Sequence, residues 1–400
     1  MLQKLGAFAQ VSHRELLGRI GGLKEMMAKR GIDFAIIVQN VDLFYFTGTV
    51  QKGFLVIAPN CAPLLFIKKS VVRARLDTSL DVIPIKTERD ALMVLGEKNI
   101  LQGQGAMELD VLPVKEYERF KKSIGFGNIV DVSPLIKELR TIKSPFELEQ
   151  IKIAGTLFTH VFARAKEVIR EGISEVEIDA DLVAEGRKHG HHGYPRMRGF
   201  NQEMLPISVF SGFSTGIPSY FDGPIAGLGL TPAMPQSSSF LQVERGIPVI
   251  VDYAGCYNGY CTDETRCFTV GKMREIFRKP YEVAREILED TESFGKAGIE
   301  TTELFQRAMQ MVKKAGLEDH FMGHGEGQVS FIGHGLGLEI NELPVITARH
   351  SRILQEGMVF AYEPKFVFPG EGAVGLELSF IVRKDGLERV SDIPLDIVYI

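Results

Sequence analysis

The sequence predicts an α/β chain of the α+β kind in two domains, residues 1–140 and 141–400. Three observations carry this. The 400 residues exceed what one hydrophobic core usually supports. The first third alternates helix and strand signals. Beyond a strongly capped helix start at Ser144 the pattern becomes strand-rich, with carboxylates at the ends of apolar runs.

In the first domain, Ser12-His-Arg-Glu15 reads as a capping box, in which the hydroxyl takes an orphan amide and the carboxylate reaches back. Leu16, Leu17, Ile20, Leu23 and Met27 follow at helical spacing, and Gly31 ends the run. Phe34–Val38 is a buried strand. Phe54–Ala58, the Pro59-Asn60 turn and Leu64–Ile67 form a hairpin.

The boundary falls at Thr141–Ser144. Ser144-Pro-Phe-Glu147 is a second capping box, with Pro where its missing N–H costs nothing. A long helix follows, with Gly172 as its expected C-cap. Ser174-Glu-Val-Glu177 opens the next helix. Gly and Pro between Ser211 and Pro235 imply a long loop. Strands are expected at Pro248–Asp252, Tyr257–Tyr260, Thr265–Val270, Met358–Tyr362 and Val374–Val382, and helices at about 278–295 and 302–315.

Composition narrows the function class. The chain is 45% hydrophobic and 24% charged, with a net charge of −5, which is ordinary for a globular protein. No basic tail or basic–aromatic run points to nucleic acid. No stretch reaches the roughly 18 apolar residues of a membrane span, and the first ten residues lack a signal-peptide core. Four cysteines make no disulfide framework. Cys256, Cys261 and Cys267 cluster without CxxC spacing, so reduced, half-buried thiols on strands are expected rather than a zinc or redox site. A cytoplasmic protein fits these readings.

The chemistry is carried by acids in unusual places. Asp252 ends Val249-Ile-Val-Asp252, Glu363 ends Met358-Val-Phe-Ala-Tyr-Glu363, and Glu377 sits in Ala373-Val-Gly-Leu-Glu377-Leu378. A carboxylate at the end of a buried strand is costly unless paired or metal-bound. Asp263, in Tyr260-Cys-Thr-Asp263, and His334, in Gly333-His334-Gly335, complete the group. The glycines beside His334 allow close approach of backbone to something bulky or charged. One imidazole with four carboxylates suits Mn, Co, Fe or Zn in a bridged pair. Two such ions activate a bridging water and polarise a carbonyl. Glu363 can hold an ion and accept the water's proton.

Together these segments resemble the creatinase/aminopeptidase P/prolidase family of pita-bread metallopeptidases. Asp252 to Asp263 has the eleven-residue step of the family's double-Asp motif. Gly333-His-Gly-Leu-Gly-Leu-Glu-Ile-Asn-Glu-Leu-Pro344 resembles its histidine motif, and Gly357-Met-Val-Phe-Ala-Tyr-Glu-Pro364 its first glutamate motif. Glu377 follows fourteen residues after Glu363. Arg140-Thr-Ile-Lys-Ser-Pro-Phe-Glu-Leu148 resembles the family's interdomain junction. The resemblance spans essentially the whole chain. It implies a creatinase-like α/β domain followed by a pita-bread catalytic domain. It also implies two divalent ions, hydrolysis of small substrates, often peptides with proline after the scissile bond, and a homodimer.

Several positions depart from the family pattern. Asn341 stands where peptidases of the family carry a histidine seven residues after His334. Ser219 and Tyr220 follow Pro218 where a second histidine is usual. Gly375 replaces an arginine, and Leu378 a residue that is often acidic. Asparagine donates to an oxyanion but shuttles no proton near neutral pH. His324 is a candidate substitute, with a solvent-exposed loop histidine as the plainer reading. His189, His191 and His192 form either a metal-binding tract or a polar helix end. Arg196 and Arg198 are candidates for a bidentate carboxylate clamp, for surface charge or for a structural ion pair, Arg198 the better placed. Arg266 is expected to pair structurally with a carboxylate, and Glu339 and Glu342 to orient neighbours.

The leading expectation is therefore a cytoplasmic Xaa-Pro aminopeptidase- or dipeptidase-like metallohydrolase, acting through a metal-bridged hydroxide. Glu363 manages the proton, Asn341 faces the oxyanion, and Ser219, Tyr220, Arg198 and His324 line the substrate site. The alternatives are a hydrolase or lyase acting on a non-peptide small molecule, and a non-catalytic metal-binding homologue.

Overall fold

The structure, a computed structural model, describes residues 10–400. The chain divides into two compact units, Met1–Arg140 and Thr141–Ile400.

The first unit runs α1 (His13–Lys29), β1 (Phe34–Ile37), α2 (Asn40–Thr47), β2 (Gly53–Ile57), β3 (Leu64–Ile67), α3 (Val71–Asp77), β4 (Val82–Pro84), α4 (Ala91–Glu97), β5 (Gly105–Met107), α5 (Val114–Ile124), β6 (Ile129–Asp131) and α6 (Ser133–Thr141). Its six strands form one mixed sheet in the order β4-β3-β2-β1-β5-β6. β1 is buried at all four positions, which explains its unbroken apolar run. The stripe Leu16, Ile20, Leu23 and Met27 of α1 is buried as its spacing requires. Ser12 caps α1 by accepting from the Glu15 amide. The Glu15 carboxylate does not reach back to the cap. It pairs instead with Arg19, one turn on, at 2.9 Å.

Asp42 and Glu108 are the most deeply buried acids among the described residues of this unit. Asp42 is bound by Arg140 at 2.9 Å. Glu108 accepts from the amides of Val38 and Gln39. Burial, then the Asp42 charge, pushes the Glu108 carboxyl up to about 8. A carboxyl raised on folding contributes stability below its unfolded value near 4.5. That contribution is lost as pH rises through the folded value. Glu108→Gln keeps the acceptor oxygen without the charge. Denaturant melts of the variant are expected to hold their stability between pH 6 and 9, while the parent weakens. An equal decline in both overturns this account.

The second unit runs α7 (Pro145–Val168), α8 (Glu175–Lys188), β7 (Ile207–Ser211), β8 (Pro248–Tyr257), β9 (Tyr260–Thr269), α9 (Glu275–Phe294), α10 (Thr301–Ala315), β10 (Phe331–Gly335), β11 (Glu342–Thr347), β12 (Val359–Tyr362), β13 (Lys365–Phe368), β14 (Gly372–Gly375), β15 (Leu378–Val382), β16 (Leu387–Arg389) and β17 (Val398–Tyr399). Its strands form sheets β17-β9-β8-β7 and β11-β10-β12-β15-β16, plus the ribbon β13-β14. The apolar faces of α7 and α8 pack with β7, β8 and β9 in one core. Those of α9 and α10 pack with the strands from β10 to β15 in another. Both capping boxes, Ser144/Glu147 and Ser174/Glu177, are formed.

Four sequence expectations are corrected here. Tyr257–Tyr260 is not a strand but the turn between two ten-residue strands. Asn258 and Gly259 both have positive φ, 48° and 90°, the geometry of a type I′ hairpin turn, for which Asn-Gly is the strongest local signal. Helix α7 ends at Val168, with Ile169 rather than Gly172 as its cap. The run Val374–Val382 is broken at Leu376 and Glu377, between β14 and β15. The thiols of Cys256, Cys261 and Cys267 are free, but fully buried rather than half-buried, because β8 and β9 are covered on both faces.

Candidate metal centre

The hairpin β8-β9 explains the eleven-residue step. Opposed residues of an antiparallel pair share a face, as do residues two apart. Asp252 lies opposite Thr265, and Asp263 opposite Ala254. The register therefore places both aspartates on one face, diagonally adjacent. His334 lies within β10, Glu363 directly after β12, and β10 pairs with β12. The glycines beside His334 serve the sheet: a Cβ at Gly333 would lie 2.3 Å from the Ala361 carbonyl oxygen, and one at Gly335 2.1 Å from that of Leu343. Close approach is thus to neighbouring backbone, not to a bulky ligand.

Glu377 is delivered by the break before β15. Its backbone bridges to Thr265, the Thr265 hydroxyl donates to its Oε2 at 2.8 Å, and Arg266 donates to its carbonyl at 2.8 Å. The Ser379 hydroxyl holds the Asp263 backbone at both its amide and its carbonyl.

All five predicted ligands converge. His334 Nε2 is 3.9 Å from Asp263 Oδ2 and 3.9 Å from Glu363 Oε1. One ligand atom each from Asp263, His334 and Glu377 lie within 4.8 Å of one another. Asp263 Oδ1 and Glu377 Oε1 are buried without a hydrogen-bond partner. Orphaned buried carboxylate oxygens beside an imidazole fit one divalent cation.

A residue outside the expected set completes the centre. The Lys365 ammonium lies 3.0 Å from Asp252 Oδ2, 2.9 Å from Glu363 Oε2 and 3.0 Å from Glu377 Oε2. Its three N–H donors thus meet three carboxylates. Burial alone would lower the lysine, but the charges of Asp252, Glu363, Glu377 and Asp263 hold it well above its ordinary value. Burial, then Glu377 and Asp252, raises Asp263 well above the carboxylate range. Glu377 is pushed up to about 8 by burial, against Lys365 and with the Glu363 and Asp252 charges adding to the rise. Sequence reading missed Lys365, although the signal was present. It follows Glu363-Pro364 and opens the apolar run Phe366-Val-Phe368, so it is as misplaced for a surface charge as the carboxylates are.

The centre opens into a cavity of about 290 Å³. Phe210, Phe221, Ile225, Phe331, Ile340 and Val345 give it apolar walls, and Asn341, Gln202 and Tyr220 are polar members of its lining. The Asn341 amide donates to Gln202 at 3.2 Å. Ser219 and His324 lie elsewhere, in a small adjoining hollow of about 20 Å³. His324 is exposed, with Nδ1 at 2.8 Å from the Asp319 carbonyl. Arg198 is absent from the cavity wall and lies 3.8 Å from Glu339, so its carboxylate partner is internal. His191 is buried between the Ala254 carbonyl and the Gly193 amide. His189 stacks on His160, the polar helix end of the two readings. Glu342 pairs with Lys143 at 3.3 Å and accepts from the Glu339 amide.

Comparison with known proteins gives this arrangement a family. The model of metallopeptidase family M24 matches residues 149–384, and that of the creatinase/prolidase N-terminal domain matches residues 19–142. A Xaa-Pro dipeptidase of Pyrococcus furiosus is 26% identical over 93% of this chain and 97% of its own. The crystal structure of the prolidase from Pyrococcus horikoshii OT3 matches with a TM-score of 0.80 at 24% identity, over 95% of this chain and 100% of that one. Aminopeptidase P from E. coli, solved with the inhibitor Pro-Leu, matches with a TM-score of 0.73 at 22% identity, over 96% of both chains. The architecture is a creatinase-like α/β domain followed by a pita-bread domain, and the chain belongs to metallopeptidase family M24.

Proposed function

We propose that this protein is a metal-dependent hydrolase of short peptides with proline after the scissile bond. One observation carries the reading. A buried set of carboxylates and one imidazole faces an apolar-walled cavity of about 290 Å³, the lower end of the size range of small-ligand sites. The relatives named Xaa-Pro dipeptidase support the substrate class.

Asp263, His334, Glu363 and Glu377 would hold a divalent ion, which when bound supplies Lewis acidity and a lowered water pKa. Glu363 divides its two oxygens, one on Lys365 and the other toward His334. Glu363 Oε1, the oxygen that the ammonium does not hold, is the acceptor for a proton from an attacking water. Asn341 and Gln202 orient the peptide and donate toward the carbonyl oxygen, and the apolar wall takes the proline ring. Tyr220 closes the polar side. Glu363 and Asn341 are thus assigned to chemistry, and Tyr220 to binding. Ser219, His324 and Arg198 stand outside the cavity and receive no role here. The same reading carries Mn, Co, Zn or Fe as the ion, a homodimer, and a cytoplasmic location. Among the described residues no helix is long and apolar enough to cross a membrane.

The test is hydrolysis of Xaa-Pro dipeptides and tripeptides after chelation, with Mn²⁺, Co²⁺ or Zn²⁺ restored singly. Cleavage that disappears with the chelator and returns with one of the ions is expected. Metal-loaded protein that cleaves none of the panel overturns the peptidase reading. It would favour the second one, a non-peptide substrate, to which Asn341 in place of the usual histidine already points.

A further inference from the structure

Lys365 occupies a place that a pair of metal ions would need. Its ammonium sits at 2.9–3.0 Å from oxygens of Asp252, Glu363 and Glu377, three of the five ligands expected to share two ions. Resting on the hydrolase reading for the identity of the site, we infer that Lys365 permanently replaces one ion of the pair, so that the centre holds a single divalent cation.

The lysine is built into this position. Lys365 is 2% exposed and opens β13, directly opposite Gly375 on β14. A Cβ at Gly375 would lie 2.4 Å from Lys365 Cγ and 2.8 Å from its Cα. Glycine at 375 therefore makes the slot through which the lysine stem runs. Position 375 is also where the family resemblance leads one to expect arginine. Lys365 and Gly375 are one feature: a cation enters the centre from β13, and the opposing strand gives up its side chain to admit it.

The rest of the centre remains fit for one ion and one only. Among the described residues, the atoms that could ligate an ion together come from Asp263, His334 and Glu377. Glu363 Oε1 lies 3.9 Å from the same imidazole nitrogen, whereas Asp252 meets the ammonium. The partnerless oxygens are Asp263 Oδ1 and Glu377 Oε1, whereas Asp252 Oδ2 and Glu377 Oε2 are bound by the ammonium. The carboxylates are thus already sorted. Asp252 serves the lysine, Asp263 and His334 the open position, and Glu363 and Glu377 give one oxygen to each side. Charge agrees. Four carboxylates against one ammonium leave three formal negative charges, and one divalent cation leaves one. A second divalent ion would have to displace a buried lysine and leave it with no carboxylate of its own.

Metal stoichiometry tests this without reference to turnover. Full-length protein is stripped with chelator, dialysed, loaded with Mn²⁺ or Zn²⁺, freed of excess and analysed by elemental mass spectrometry. One ion per chain is expected for the parent and two for Lys365→Ala. Two ions in the parent, or none, overturn the inference. Should the variant not fold, anomalous scattering from metal-loaded parent crystals decides. One peak beside His334 supports the inference, and a second peak beside Asp252 sinks it. One bound ion without peptide cleavage would remove the peptidase reading and leave this one intact. Two bound ions with cleavage would do the reverse.

Discussion

Asp263→Asn is expected to abolish hydrolysis and ion-dependent stabilisation while raising the melting temperature of the metal-free protein. The two effects have opposite signs because the same carboxylate is a cost without the ion and a ligand with it. Asp263 is 4% exposed, and its Oδ1 has no hydrogen-bond partner. Burial and the charges of Glu377 and Asp252 oppose its ionisation. A buried charge left unpaired costs several kcal/mol, and asparagine removes the charge at nearly constant volume. Each kcal/mol moves the melting temperature by about 2–4 °C in a domain of this size, so a rise of several degrees is expected in chelator. With metal restored, the parent gains stability by mass action and the variant gains little. The rate loss should exceed the roughly 10²–10³-fold cost of removing a single oxyanion donor. Calorimetry with and without ion reads both signs. A variant that is still stabilised by metal, or that melts lower than the parent in chelator, would show that Asp263 does not face the ion.

Much of this centre was legible in the sequence because its ligands lie where local pattern and chemistry disagree. Asp252, Glu363 and Glu377 each interrupt an apolar run, and burial makes such an interruption expensive enough to need a reason. Lys365 obeys the same rule and was passed over, since a lysine reads by default as surface. Its meaning depends on Gly375, ten residues away in sequence and directly opposite in the β13-β14 ribbon. Register of this kind is set by tertiary pairing and has no local signature. The substrate residues were harder still. Ser219 and Tyr220 are adjacent in sequence, yet only Tyr220 lines the main cavity, because the loop that carries them turns between the two. For Arg198 the sequence leaves a clamp, a surface charge and a structural ion pair open, because Glu339, the neighbour that favours the last, lies far along the chain. Loop geometry decides such partners, and composition does not reveal it.

Arg266→Met is expected to destabilise the second unit by about 3–5 kcal/mol, the range for stripping one partner from a buried ion pair. Arg266 is fully buried, and all five guanidinium donors are matched. Nε donates to the Pro394 carbonyl at 2.9 Å. One terminal nitrogen serves the carbonyls of Thr265 and Glu377. The other serves the Ile393 carbonyl and the Glu264 carboxylate. Methionine fills the space but supplies none of these donors, although the Thr265 and Glu377 carbonyls keep each other's amides and Glu264 keeps the Ser391 hydroxyl. Glu264, which burial already pushes up to about 7 against the Arg266 charge, would lose its main compensation. Lysine is no substitute, since a compact ammonium with three donors cannot span a planar fork of five. Melting temperature should fall by roughly 6–20 °C. The double variant with Glu264→Gln should recover part of the loss, because the orphaned charge is then gone. Since the Glu377 carbonyl is one of the acceptors, affinity for the divalent ion should weaken as well, by an amount comparable to the 10–100-fold typical of groups that orient a ligand. An Arg266→Lys protein that melts within a few degrees of the parent and binds metal as tightly would show that the fork is dispensable. The position of Glu377 would then have to come from the Thr265 bridge alone.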